Sequence, residues 1–133
     1  MHKLGFDEAW IGEHHSAGSE IIASPEIFIM AAAERTRHIK LGTEVTSLPY
    51  HNPLWVEERM VMLDHMTRGR VMLGLGPGAL PSDAAMLGLK PPQMRPLRHE
   101  YTEILMQLLT TEEPVSYQGE RLVVAMSMRW SAL

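Results

Sequence analysis

The pattern of apolar and polar positions alternates between two periods along this chain. Short apolar runs at about Glu8 to Gly12, Ile39 to Leu48 and Arg70 to Leu75 read as strands, the second rich in β-branched residues and closed by Pro49. Between them the pattern is helical. Ser24-Pro25-Glu26 supplies a cap, a proline suited to the first helical position and an acid suited to the dipole, and opens a helix to about Thr36. Asn52-Pro53 repeats that signal, and Val56, Met60, Leu63 and Met66 continue at helical spacing until Thr67-Arg68-Gly69. After the Gly- and Pro-rich stretch Gly76 to Pro81, Ser82-Asp83 starts a short helical turn. Leu97, Tyr101, Ile104, Leu105 and Leu108 form the stripe of a helix from about Leu97 to Thr110, and Tyr117-Gln118-Gly119-Glu120 suits a hairpin. At the front, Leu4-Gly5 reads as a helix end with Gly as its cap.

The strand starts are about 31 residues apart, the period of a βα unit rather than of a helical solenoid. The fold class is therefore α/β, with about three consecutive βα units and parallel strands. A closed (β/α)8 TIM barrel needs about 250 residues, so as a barrel this chain is partial. We expect a partial barrel domain over 1–124 and a tail over 125–133, where Met126, Met128 and Trp130 follow no regular period. Open sheet edges and an uncovered inner face predict self-association or poor solubility unless another chain covers them.

Composition narrows the function classes. The chain has 133 residues, of which 45% are hydrophobic and 21% charged, as in one soluble globular domain. The net charge is -4 and the twelve Lys and Arg residues are scattered, which argues against a nucleic-acid surface. There is no cysteine, so disulfides and thiolate metal sites are excluded. The N-terminus lacks a signal-peptide apolar region, and no run reaches the roughly 18 apolar residues of a membrane span. A soluble, cytoplasmic protein without membrane association is expected.

Glu13-His14-His15 follows the first predicted strand, at the end where α/β sheets and barrels place ligands. Histidine titrates near neutral pH and can move a proton or donate to a developing anion. The alternative is a pair of structurally hydrogen-bonded histidines at a strand end. A metal would need further ligands such as His51 or Asp83 to converge, and no metal is assigned. Gly74-Leu75-Gly76-Pro77-Gly78-Ala79 superficially fits a dinucleotide fingerprint, but Pro77 and Pro81 interrupt the helix that should follow. It reads better as a glycine-lined strand end that lets a ring or phosphate approach the backbone, or as a structural turn. Glu44 either lines the barrel mouth or pairs with Arg70 or another basic residue. His51 either reaches the site or braces its loop. His38, His65 and His99 fall on solvated helix ends or faces, and Met30, Met60, Met62 and Met66 suit helix packing.

These residues form an ordered series: Leu4-Gly5-Phe6-Asp7, Glu13-His14-His15, Leu41-Gly42-Thr43, Leu48-Pro49-Tyr50-His51-Asn52-Pro53, Leu63-Asp64-His65-Met66-Thr67 and Gly69-Arg70. The series resembles the bacterial-luciferase-like flavin-dependent monooxygenases from about residue 4 to about 124. Gly76 to Ala84 looks like the limonene monooxygenase-type branch.

The resemblance implies a (β/α)8 barrel using reduced FMN, delivered by a separate flavin reductase, and O2 to oxygenate a small hydrophobic substrate. It assigns His14 a hydrogen bond or proton near the flavin, with His15 supporting it. It puts Glu44 and Val45 where the family often has a non-proline cis peptide under the ring, and Gly76 and Pro77 beside the cofactor. Two departures stand out. Luciferase has a cysteine and then an arginine at the positions of Gly76 and Pro77, so no phosphate-binding arginine is supplied there. Glu44 replaces what is usually a small residue. By the resemblance, one strand precedes Met1, later strands follow residue 133, and the helices near Pro25 to Thr36 and Pro53 to Met66 form a homodimer interface. A deazaflavin-dependent oxidoreductase on the same barrel and a non-catalytic fragment or partner-pairing module are the alternatives.

Overall fold

In the computed structural model, residues 5–16, 18 and 20–125 are described. The expectation for Leu4 and that for the tail beyond Ala125 lie outside these residues. In order come β1 (Glu8–Ile11), α1 (Pro25–Ala33), β2 (Lys40–Thr43), β3 (Thr46–Ser47) and a 3-10 turn (Leu48–Tyr50). They are followed by α2 (Pro53–Thr67), β4 (Val71–Met72), β5 (Leu75–Gly76), α3 (Pro81–Met86), α4 (Pro91–Thr110), β6 (Tyr117–Gln118) and β7 (Val123–Val124).

The three predicted parallel strands are present, but two of them are broken. β1, β2 and β4 pair in parallel in that order, and β3 and β5 continue the second and third strands as a parallel pair. The break in the second strand is Glu44–Val45, joined by a cis peptide bond. Opposite it, the Thr43 hydroxyl donates to the Gly74 carbonyl at 2.9 Å and accepts from the Gly74 amide at 3.0 Å. That side chain thus pairs the Gly74 amide and adds a second donor to the Gly74 carbonyl, which also accepts from the Thr46 amide at 2.8 Å.

The helix ends follow from local chemistry. Asn52 caps α2 by accepting from the Leu54 amide at 3.0 Å. The same helix stops at Arg68 and Gly69, both with positive φ, and the Gly69 amide donates to the Asp64 carbonyl at 3.0 Å. Ser24 starts α1 without a side-chain cap. That helix ends at Ala33 rather than near Thr36. The Arg70 guanidinium takes over there, donating to the Ala33 and Ile39 carbonyls and the Thr36 hydroxyl at 3.1–3.2 Å. Of the two readings of Glu44, the pair with Arg70 is therefore not formed. Arg70 leads into the sheet at one end of its strand, whereas Glu44 is exposed at the other end of the neighbouring strand.

Helix α4 begins at Pro91, six residues before the predicted start. Lys90 and Gln93 close its first turn, the Lys90 amide donating to the Gln93 side chain at 2.9 Å. Pro96 comes early enough to forfeit one helical hydrogen bond, that to the Pro92 carbonyl. The stripe Leu97, Tyr101, Ile104, Leu105 and Leu108 is buried as the periodicity predicts, and Met94 extends it. It packs on α2 and on the 3-10 turn. β6 and β7 form the expected hairpin, closed by the Gly119 amide on the Leu122 carbonyl at 2.8 Å.

The helices cover one face of the sheet. Ile29, Leu48 and Leu105 are fully buried in that layer, each stabilising the fold by about 1.5–3 kcal/mol. The other face carries Trp10, in register with Gly42 and Met72. Trp10 lies across Gly42, where a Cβ would strike its ring, and remains 45% exposed. The architecture is a segment of a (β/α)8 barrel whose inner face the described residues cover only in part.

Candidate active site

The C-terminal ends of the three strands bring residues 12–16, 44–51 and 74–83 together. β1 ends at Ile11, and the chain turns through Gly12 so that Glu13 points inward and is buried. Glu13 Oε2 accepts from the Ser47 amide at 2.7 Å. Its Oε1 accepts from His51 Nε2 at 2.6 Å and from His15 Nε2 at 2.9 Å. Burial alone would raise the Glu13 carboxyl. The hydrogen bond and charge of His51, with the Ser47 amide and His15, outweigh burial and hold it below its ordinary 4.5. An ionised carboxylate only accepts, so Glu13 selects the Nε2–H form of both rings when they are neutral.

A second buried carboxylate holds the same loop from the far side. Asp83, in the first turn of α3, accepts from the His15 amide at 3.2 Å and from the Ser16 hydroxyl. Burial works against its ionisation, but the Ser16 hydroxyl, the His15 and Ser16 amides and the His15 charge hold it below its ordinary 3.8. His14 stands between two acids. Its Nε2 donates to Glu20 at 2.6 Å, and its Nδ1 lies 3.9 Å from Asp83, too far for a hydrogen bond. Nδ1 is buried without a partner.

The sequence-derived site residues divide into three groups. His14 and His15 stand together in this cluster, and His51 reaches it through Glu13. Val45 and Gly76 meet at the next strand ends, where a Cβ on Gly76 would strike the Val45 side chain. Glu44 is exposed; its amide continues the ladder to the Ile11 carbonyl at 2.7 Å. Pro77 lines a separate hollow of about 300 Å³ between residues 77–81 and α4, none of whose lining is histidine. An open apolar groove of about 810 Å³ runs between β1 and α1, with His14 and Glu20 among its lining residues.

Sequence reasoning gave Glu20 and Tyr50 no role of their own, Glu13 only its place in the Glu13-His14-His15 motif, and Asp83 only that of a further ligand a metal would need. Asp83 read as part of a helix start, and nothing in a linear pattern distinguishes an exposed first-turn acid from one turned into the core. Tyr50 entered only as one position of the Leu48-Pro49-Tyr50-His51-Asn52-Pro53 motif. Its ring stands edge-on to His15, centroids 5.7 Å apart at 72°. Among the described residues, no helix is long and apolar enough to cross a membrane.

Comparison with known proteins gives this geometry its context. The chain is 53% identical over 112 residues to limonene 1,2-monooxygenase of Rhodococcus erythropolis, covering 84% of this chain and 29% of that protein. It is 52% identical over 116 residues to 4-hydroxyprotoasukamycin monooxygenase of Streptomyces nodosus subsp. asukaensis, covering 87% and 31% respectively. A solved structure, the oxygenating constituent of 3,6-diketocamphane monooxygenase from Pseudomonas putida in complex with FMN, superposes with a TM-score of 0.84 at 30% identity. That match covers 92% of this chain and 34% of the other. The chain thus spans about a third of the length of these relatives. The family model for luciferase-like monooxygenases matches residues 1–131, and the chain belongs to that family.

Proposed function

We propose that this chain contributes the histidine-bearing part of a flavin-dependent monooxygenase that oxygenates a small hydrophobic organic molecule with O2. Reduced FMN is the cofactor, supplied by a separate flavin reductase. The observation that carries the reading is His14, held by Glu20 at the meeting point of three strand ends, with Nδ1 buried and unpartnered 3.9 Å from Asp83. With Nε2–H committed to Glu20, Nδ1 is the ring atom free to accept a proton, or to donate one when the ring is charged. His15, tied to Glu13 and to Asp83 through its amide, fixes the loop that carries His14.

The residues suit the flat part of a flavin. Val45 against Gly76, and Gly12 with its Cβ position 3.3 Å from the Glu44 carbonyl, make a close-packed backbone surface at the strand ends. The Glu44–Val45 peptide, Gly76 and Pro77 would border the ring, which when reduced and bound supplies the electrons that activate oxygen. The phosphate would be held elsewhere, because the charged partners of these histidines are Glu13, Glu20 and Asp83. The domain doing this work spans 1–124.

A homodimer through the outer faces of α1 and α2 completes the reading. Ile27 on α1 and Trp55, Met62 and Met66 on α2 are all more than half exposed. A second reading is favoured by the uncovered inner face around Trp10. In it the segment is inactive alone and works only when further barrel strands cover that face.

The test supplies the chain with limonene, O2 and FMN kept reduced by a flavin reductase and NADH, and assays oxygenated product by gas chromatography. Product that requires reduced FMN and is lost in His14→Ala supports the oxygenase. Turnover only with a reduced deazaflavin overturns it. Absence of both turnover and flavin binding in the chain by itself favours the second reading or the non-catalytic module.

A further inference from the structure

One short segment holds His14 twice. The ring Nε2 lies 2.6 Å from Glu20 Oε2, and the main-chain amide of His14 donates to the Ile22 carbonyl at 3.1 Å. The chain thus folds back after the first strand so that residues 20 and 22 anchor on the same histidine. The pair is not part of the core. The Glu20 side chain is 65% exposed, and it shares with His14 the wall of the open groove between β1 and α1. A solvated pair of this kind contributes little to stability. Its consequence lies in the ring.

Two carboxylates face the two ring nitrogens. Glu20 accepts a proton carried on Nε2, whereas Asp83, 3.9 Å from Nδ1, favours a proton on that side. A neutral imidazole carries a single N–H, so the two acids compete for it. Glu20 has the advantage of distance. Asp83 stands beyond hydrogen-bond reach of the ring, and its two oxygens already accept from the His15 amide and the Ser16 hydroxyl. Nδ1 is buried, so water does not contest the outcome there.

We infer that Glu20 is a positioning residue of this site: it draws the His14 ring proton to Nε2 against the pull of Asp83, and so fixes which nitrogen keeps the lone pair. This deepens the oxygenase reading and rests on it for the reaction that the ring serves. The competition itself needs neither flavin nor substrate.

The test is nitrogen NMR of the chain with isotope-labelled histidines, the His14 ring signals being identified by their loss in His14→Gln. The pH is raised until those signals stop changing, so that the neutral ring is read. A nitrogen that carries hydrogen and one that carries a lone pair resonate far apart, and their positions give the ratio of the two forms. In the wild-type chain, the share of the Nε2–H form at His14 should exceed that at the exposed ring of His38. Glu20→Leu removes the acceptor. Water in the groove both donates and accepts, which leaves the choice to Asp83, and the ratio of Nε2–H to Nδ1–H should fall about three- to tenfold, as expected for one hydrogen bond. Glu20→Gln keeps an acceptor oxygen and should recover part of the ratio. Both variants should melt within about 4 °C of the wild type. The inference is overturned if the wild-type ring matches His38 or carries its proton on Nδ1, if Glu20→Leu leaves the ratio unchanged, or if Glu20→Gln recovers none of it. A larger fall in melting temperature in Glu20→Leu also overturns it, because Glu20 would then hold the fold rather than the ring. Turnover is not read here, so failure of the oxygenase reading and failure of the Glu20 inference remain distinguishable.

Discussion

The Ser47 amide donates to Glu13 Oε2 at 2.7 Å across 34 residues of sequence, tying the end of the first strand to the end of the second. The same carboxylate holds His15 and His51, so one buried acid organises two strand ends and two rings. Glu13→Ala removes the acceptor of three donors and should destabilise the fold by about 2–4 kcal/mol, read as a lower urea midpoint. Glu13→Gln, which keeps the shape and one acceptor, should recover part of that loss.

Stability should fall in acid for a defined reason. Glu13 and Asp83 both have folded values below the ordinary 4.5 and 3.8. Their contribution is therefore fully present above those ordinary values, and is lost as the pH falls through the depressed folded ones. Urea midpoints should be level between about pH 6 and pH 7 in these two groups' contribution and drop by pH 3. A Glu13→Gln, Asp83→Asn double variant should start lower at neutral pH and show a shallower acid drop. An unchanged acid slope in that variant would assign the effect to other carboxylates.

Thr43 bridges the Gly74 amide and carbonyl where both strands break. Thr43→Val keeps the volume and the β-branch but leaves the half-buried Gly74 amide unpaired, and should cost about 1–3 kcal/mol. Thr43→Ser should retain more stability than Val if the hydroxyl rather than the methyl matters, and equal losses would reverse that assignment. Chemical denaturation of the three proteins measures it.

Arg70 joins the end of α1 to the start of the third strand through four acceptors, including the Thr67 carbonyl at 2.9 Å. Lysine offers a single ammonium and cannot span them. Arg70→Lys should cost about 1–3 kcal/mol, although the charge is unchanged. Amide hydrogen exchange should show the loss concentrated at the end of α1.

The outer faces of α1 and α2 give a prediction about assembly. If Trp55 and Met62 lie in a dimer interface, Trp55→Glu with Met62→Glu should shift the light-scattering mass from dimer to monomer while circular dichroism stays unchanged. A wild-type monomer at high micromolar concentration would exclude the interface.

The linear pattern determined the parts of this protein that depend on period and on local caps. Asn52-Pro53, the stripe from Leu97 to Leu108 and the 31-residue strand interval are properties of neighbouring residues, because helix and strand geometry repeat over short distances. The ordered motifs from Glu13-His14-His15 onward carried the family. Only the tertiary structure decided that Glu13 and Asp83 turn inward, that Arg70 clamps a helix end instead of meeting Glu44, and that the Tyr50 hydroxyl faces Gly78. Each of these depends on where a side chain lands relative to residues about 30 to 70 positions away. The separation is spanned by packing, and an acid or a phenol carries no linear mark of whether packing will bury it.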